Sequence, residues 1–405
     1  MPQSAPGGAP STAVQVWLLA LGMFAIGTDL FIVSGLLPAL GRDLDLSTAA
    51  AGQTVTVFAI TYAVAAPILA GLTGTVDRRA LLVAVLAVFS VGNVLSAVAP
   101  SYGVLLLSRF VAGAGAALFA ATASGVAARI AAPDRRGRAL AIVYAGMTSA
   151  IALGVPIGNA IGTVLSWRWA FGFVTLLAVV SAVGLLASVP SLPGTGGAGI
   201  RERLGAVRVH RAPSALLVTT LWVLGTFVVY TYLGTLLDDV THASGGVRPW
   251  LLLLFGVGSF AGVMAGGRLA DRVNPAAGLG VSVGVLAVVL AAQVLALRSV
   301  PGAAVGLAVW GLVHWASFPL IQHRLLDIGG SHGDMLLALN NSAVYVGQTA
   351  AAALGGLFAS AGLLTALPLA GAGCQLLALL VLALTARARR SPARSVEVVE
   401  ALARR

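Results

Sequence analysis

Two short polar stretches decide how this sequence is read: GLTGTVDRRALL, Gly71 to Leu82, and GGRLADRVNP, Gly266 to Pro275. Each interrupts a long apolar run and is followed at once by another, so each reads as a tight turn between two helices. Paired short turns at corresponding places in two halves of a chain are what an internal duplication leaves behind. In the second stretch Asp271 is placed to bond the exposed amides of a helix N-terminus, and Arg272 to reach neighbouring carboxylates or helix C-termini. The first stretch departs from this pattern. Counted from Gly71, the acid position falls on Thr75 and the base position on Val76, leaving Asp77, Arg78 and Arg79 to supply the charge.

The runs around these turns are too apolar for a soluble domain. Of 405 residues, 59% are hydrophobic and only 9% charged, against about 25% charged in ordinary soluble proteins. A bilayer core about 30 Å thick needs roughly 20 apolar residues at 1.5 Å rise, and runs of that length recur along the whole chain. They predict an all-α membrane protein of twelve spans, the first from Val14 to Leu37. The expected organisation is a disordered tail (1–13), a six-helix bundle (14–190), a polar linker (191–213), a second six-helix bundle (214–386) and a basic tail (387–405). The N-terminal residues carry no Lys or Arg and lead into the first run without a small-residue cleavage site, so no signal peptide is expected. Cys374 is the sole cysteine, which excludes an internal disulfide.

A formal net charge of +11 raises the question of nucleic acid, and its placement answers it. Every basic residue is arginine. With both termini inside, nineteen of the 24 arginines fall in inward loops or the C-terminal tail, four lie outside and Arg109 remains within a span. This is the positive-inside bias of a membrane protein. The tail then sits beside anionic lipid headgroups, and no nucleic-acid partner is needed.

Three spans carry further signals. The fourth contains LLLSRFVAGAGAAL, with Arg109 as an intramembrane cation beside Gly113 and Gly115. A charge at that depth costs roughly 3 kcal/mol on insertion scales unless it meets a partner or a polar cavity, or snorkels outward. The fifth contains GMTSAIALGVPIGNAIG, where Pro156 removes one amide and kinks the helix while Gly154 and Gly158 permit close packing. The first contains GMFAIGTDLFIVSGLLP, with Asp29 in an otherwise apolar, small or hydroxylic run. Helix rise from Val14 puts Asp29 about 8 Å below the outer face, and rise from Tyr102 puts Arg109 about 10 Å below it. The two charges come out at similar depth, and a carboxylate there serves either as one end of a static tie between helices or as a group whose proton affinity shifts with hydration and cationic contact.

Taken together, the second turn, the Arg109 helix, the Gly154-x-Pro156 segment and the first two spans resemble the major facilitator superfamily. Within it they are similar to the twelve-helix drug:proton antiporters, especially the chloramphenicol-resistance and arabinose-efflux permease-like members. The resemblance implies two pseudo-symmetric six-helix bundles around a central cavity, both termini cytoplasmic, in a bacterial inner membrane. It implies export of small, fairly apolar compounds in exchange for protons by alternating access and, since the first and fourth helices of that fold both line the cavity, an Asp29–Arg109 pair in proton coupling; His314, whose charge can change near neutral pH, is a further coupling candidate by its own chemistry. Gly71, Asp77, Arg78, Arg79, Gly154, Pro156, Gly158, Gly267, Asp271 and Arg272 would serve gating. Tyr62, Tyr144, Tyr230, Tyr232, Trp310, Asn341 and Tyr345 would line the substrate cavity, with Gln53, Trp222 and Gln348 as weaker candidates. Asp238 and Asp239 read as a solvated boundary at the outer end of the seventh span.

No phosphate-binding loop, no nucleophile motif and no His and carboxylate cluster with metal spacing is found, so neither an enzyme nor a cofactor or metal is expected. The proton gradient is the expected energy source, and the expected partners are a small molecule, protons and the lipid bilayer, with the chain as a monomer. Export of a sugar or another endogenous metabolite remains open, as does a transport-dead sensor or scaffold of the same fold.

Overall fold

The computed structural model describes residues 12–194, 196, 211–243 and 246–387. Among them twelve helices are long and apolar enough to span a bilayer. The first half holds α1 (Thr12–Asp43), α2 (Thr48–Leu72), α3 (Arg78–Ala97), α4 (Tyr102–Ile130), α5 (Pro133–Val164) and α6 (Trp167–Ser188). The second holds α7 (Ala212–Asp239), α8 (Val247–Ala270), α9 (Pro275–Ala296), α10 (Val300–Gly329), α11 (Met335–Ser360) and α12 (Leu364–Thr385). The expected basic tail and most of the linker and N-terminal tail lie outside the described residues.

The turns start these helices with side-chain caps for amides that have no intrahelical partner. Ser47 accepts from the Ala50 amide, Asp77 from Ala80, Ser166 from Arg168, Asn274 from Ala276 and Ala277, and Ser299 from Gly302.

The duplication is visible in the packing. In the first half α1 lies on α5 and α6, α3 on α4 and α6, and α2 on α4. Raising each number by six gives the pairs of the second half: α7 on α11 and α12, α9 on α10 and α12, and α8 on α10. The correspondence extends to single residues. A Cβ on Gly113 of α4 would stand 2.8 Å from the Phe58 carbonyl of α2, and one on Gly311 of α10 would meet the Phe255 carbonyl of α8 more closely still. Where lipid supplies no hydrophobic drive between helices, such small residues let backbones approach and dispersion hold them.

Three helices are interrupted. α4 breaks at Ala117 and Leu118, and α7 at Thr231 and Tyr232. α5 carries a π turn over Ala150–Gly154, directly before Pro156. Proline cannot bond the carbonyl four residues back, here Ala152, and its ring crowds that carbonyl; the wider turn accommodates both. α1 differs from expectation. Pro38 does not end it, and the helix continues to Asp43. The carbonyl that Pro38 leaves without its helical donor is that of Ser34, and Gly234 of α7 packs directly against it.

Candidate functional site

Asp29 and Arg109 meet. Arg109 Nη1 donates to Asp29 Oδ1 at 2.8 Å and Nη2 to Oδ2 at 3.1 Å, a bidentate pair between α1 and α4 with both side chains at most 1% exposed. Phe58 of α2 and Phe171 of α6 cover the guanidinium, 4.6 and 5.4 Å from their ring centroids. Each charge thus receives a counter-charge, and the cation two aromatic faces, in place of water. Arg109 Nε has no hydrogen-bond partner among the described residues.

The pair joins the outer part of one helix to the middle of another: Arg109 stands 7 residues, about 10 Å, from the outer end of α4, whereas Asp29 stands 14 residues, about 21 Å, before the outer end of α1, which runs on to Asp43. Two residues along, about 200° around the helix, Phe31 points the other way, into the contact with Phe227, Tyr230 and Trp315. The charges therefore occupy the interior of the first half, while the opposite side of α1 meets the second half. α5 seats the same turn: Cβ atoms on Gly154 and Gly158 would fall on Thr28 and Ile32.

The surface where the halves meet is aromatic. Phe31 and Ile151 from the first half and Thr226, Phe227, Tyr230, Phe255, His314 and Trp315 from the second wall a narrow central crevice, closed here too tightly to admit a water molecule. His314 Nδ1 lies 2.9 Å from Thr226 Oγ1, and its ring stacks on Trp222 with centroids 4.1 Å apart. The Tyr230 hydroxyl and His314 Nε2 are buried without hydrogen-bond partners among the described residues. Farther inward, Tyr62 of α2 stacks on Tyr345 of α11 at 3.6 Å, and beyond them a cavity of about 90 Å³ opens between α2, α4 and α11, with Asn341 on its wall. The other expected cavity residues lie elsewhere. Trp310 is fully buried behind Tyr230 and Phe255, and Tyr232 belongs to the closure described next, whereas Tyr144, exposed on α5, lies within electrostatic reach of Tyr62.

At the end bearing the α1–α2 turn, which the arginine bias assigns to the outside, the halves are locked together. α1 and α7 cross where Gly35 meets Gly234. Tyr232 wedges its ring between Gly52 of α2 and Gly355 of α11 and donates its hydroxyl to the Ala352 carbonyl at 2.8 Å. It packs between the halves rather than on the crevice wall, because two residues along α7 it points away from Tyr230. Asp238 is no solvated boundary: Arg248 of α8, only 6% exposed, pairs with it and donates to the Gly35 carbonyl at 3.0 Å, while Arg42 stands 3.8 Å from Asp238 on the other side. Arg248, counted above with the outer loops, is thus a buried tie. Sequence reasoning missed it because its partners lie on two other helices.

The two inner turns have opposite outcomes. In the first, Asp77 caps α3 and accepts the Ser191 hydroxyl at 2.7 Å, Arg78 donates to the Gly74 carbonyl at 2.6 Å, and Arg79 reaches the Val189 carbonyl at the end of α6. The bonds from the Ala80 amide and then from Ser191 hold the Asp77 carboxyl below the usual carboxylate range. In the second, Asp271 does not cap a helix. Asn274 does, and Asp271 and Arg272 are exposed and make no side-chain bond among the described residues. Gly267 has open space where a Cβ would go, and Gly71 lies exposed at the end of α2.

The described residues hold no cluster of three His, Cys, Asp or Glu side chains able to bind a metal. Comparison with known proteins agrees with this architecture. Residues 19–332 match the family profile described as Major Facilitator Superfamily. The inner membrane transport protein YdhP of Escherichia coli (strain K12) is 35% identical over 374 residues, covering 91% of this chain and 95% of that protein. A chloramphenicol resistance protein of Streptomyces lividans is 36% identical over 276 residues, covering 66% of this chain and 69% of the relative. Among solved structures, a bacterial homologue of the human lysosomal transporter Spinster, inward-facing and occupied, superposes with a TM-score of 0.74 at 16% identity, covering 94% of this chain and 98% of that one. The chain, a multi-pass membrane transporter, therefore belongs to the major facilitator superfamily.

Proposed function

We propose that this protein exports small, fairly apolar compounds, chloramphenicol-like molecules among them, in exchange for protons across a bacterial inner membrane, as a monomer with both termini cytoplasmic. The observation that carries the reading is the buried Asp29–Arg109 pair set one helix face away from an aromatic crevice. The similarity to a chloramphenicol resistance protein supports the substrate class.

In the cycle, a proton reaching Asp29 neutralises the carboxylate and turns two charge-assisted bonds into weaker ones. Arg109 is released, and with it the tie between α1 and α4. Thr28 and Ile32 transmit that change to α5 through the Gly154 and Gly158 contacts, and the π turn beside Pro156 gives α5 a place to bend. The present conformation is closed at the outer end by Arg248, Asp238 and Tyr232. The unengaged Asp271 and Arg272 fit an inner side released from its gate contacts. The proton gradient alone drives the cycle, and no cofactor takes part. A sugar exporter would want acids and amides around its cargo, and the crevice wall holds neither.

A drug-susceptibility panel with and without expression, repeated with a protonophore, reads substrate and energy source together. Protection that vanishes with the protonophore is expected. Undiminished export by Asp29→Asn in vesicles under an imposed pH gradient would overturn the coupling role.

A further inference from the structure

Native proteins leave few buried polar atoms without a partner, and those that remain ask for a reason. Two of them border the central crevice: the Tyr230 hydroxyl and His314 Nε2, on side chains 2% and 1% exposed. Their surroundings are Phe31, Phe227, Phe255 and Trp315, and no residue of the wall carries a carboxylate, an ammonium or a guanidinium. Asp29 and Arg109, the nearest formal charges of α1 and α4, are taken up by each other inside the first half.

The second nitrogen of His314 decides what Nε2 offers. Thr28, Thr175 and Thr349 give their hydroxyl hydrogens to the carbonyl four residues back. Thr226 makes no such bond; its one partner among the described residues is His314 Nδ1. The Thr226 hydrogen therefore goes to Nδ1, which acts as acceptor, and the hydrogen of the uncharged ring sits on Nε2. Trp222, stacked within 11° of parallel, fixes the ring plane.

The geometry points to His314 and Tyr230 as a specificity-determining pair for an uncharged, flat aromatic compound that parts Phe31 from Phe227. His314 Nε2–H donates to an acceptor oxygen of that compound, a carbonyl, nitro or ether group, and the Tyr230 hydroxyl bonds a second polar group. A permanent cation finds no counter-charge on this wall. The inference rests on the export reading and narrows it to a class of cargo.

The test is equilibrium binding to the purified full-length protein, without a gradient, using radiolabelled chloramphenicol as the neutral probe and tetraphenylphosphonium as a cation lacking hydrogen-bonding groups. His314→Phe, which keeps an aromatic stack but no N–H, weakens chloramphenicol binding about tenfold, and Tyr230→Phe about fivefold. His314→Gln, whose amide can present a donor near Nε2, stays within about threefold of wild type. Melting temperatures identify any variant that has lost its fold, and each position is read independently of the other. Unchanged chloramphenicol binding in both Phe variants overturns the pair. Absent chloramphenicol binding, or tetraphenylphosphonium bound as tightly, overturns the class. If the variants follow the expected pattern but expression gives cells no protection, the export reading falls and the pair stands.

Discussion

The two halves pack their helices in the same pairs and even repeat a glycine against a phenylalanine carbonyl, Gly113 on Phe58 and Gly311 on Phe255, yet they use that frame for different chemistry. The first half buries two formal charges and satisfies them with each other and with aromatic faces. The second buries aromatic rings, a histidine and a tyrosine, and leaves polar atoms unpartnered at the surface it turns toward the first. A closed pair suits a device that responds to a proton; open hydrogen-bonding positions on an aromatic wall suit recognition of a solute. Duplication supplied one scaffold, and the side chains divided the labour.

Breaking the charged half should have the largest effect. Arg109→Ala leaves Asp29 buried without its counter-charge and should destabilise the protein by about 3–5 kcal/mol, read from thermal unfolding in detergent. The double variant Asp29→Leu/Arg109→Met removes both charges and should recover most of that loss, because an apolar pair incurs no desolvation penalty. Its proton-driven export should stay absent. A stable double variant that still exports would make the pair a static tie and erase the functional contrast between the halves.

The shared frame can be tested next. Gly113→Val and Gly311→Val each force a side chain into a neighbouring carbonyl and should each cost about 1–3 kcal/mol. Similar drops in melting temperature would sharpen the idea that the frame is common. A drop at one site only would mean that the halves are held by different contacts.

A smaller effect is expected where the halves join. Arg248→Ala removes the tie between α8, Asp238 and the Gly35 carbonyl and should raise the outer-open population several-fold, by about 1 kcal/mol. Distances between spin labels on the outer ends of α5 and α8 would report it. An unchanged distribution would assign the closure to the Gly35–Gly234 crossing and Tyr232 alone.

The smallest change concerns Asp77. Its carboxyl is held below the usual range in the folded state, so its contribution to stability is present above about pH 4 and is lost as the pH falls through the lowered value. Asp77→Asn should flatten that limb of the melting-temperature profile and leave neutral pH nearly unaffected.

The sequence made the twelve spans legible because each is a long apolar run, several of them opened by a capping residue, and the family resemblance made the partnership of Asp29 and Arg109 legible. The end of α1 was misread at Pro38, taken as a stop when the proline is tolerated inside α1 beside the crossing with α7. Of the two inner turns, only the second was misread, for a related reason. The second fits the pattern better, but Asn274 stands closer to the start of α9 than Asp271 does and takes the cap. Arg248, Asp238 and Tyr232 were invisible as a closure because their partners are fixed by how two halves dock, which no local pattern encodes. The His314–Thr226 bond, between two helices of the second half, joins residues 88 apart and is equally beyond a local pattern.

The position of Asp29 near the middle of α1 has an electrical consequence. A proton delivered to it from the outer side would traverse part of the transmembrane voltage drop, gaining the corresponding fraction of about 2.3 kcal/mol per 100 mV. Occupancy of the carboxylate would then depend on membrane potential as well as on pH. Voltage alone, imposed by a potassium diffusion potential at equal pH, should therefore bias transport, inside-negative polarity favouring entry of the proton.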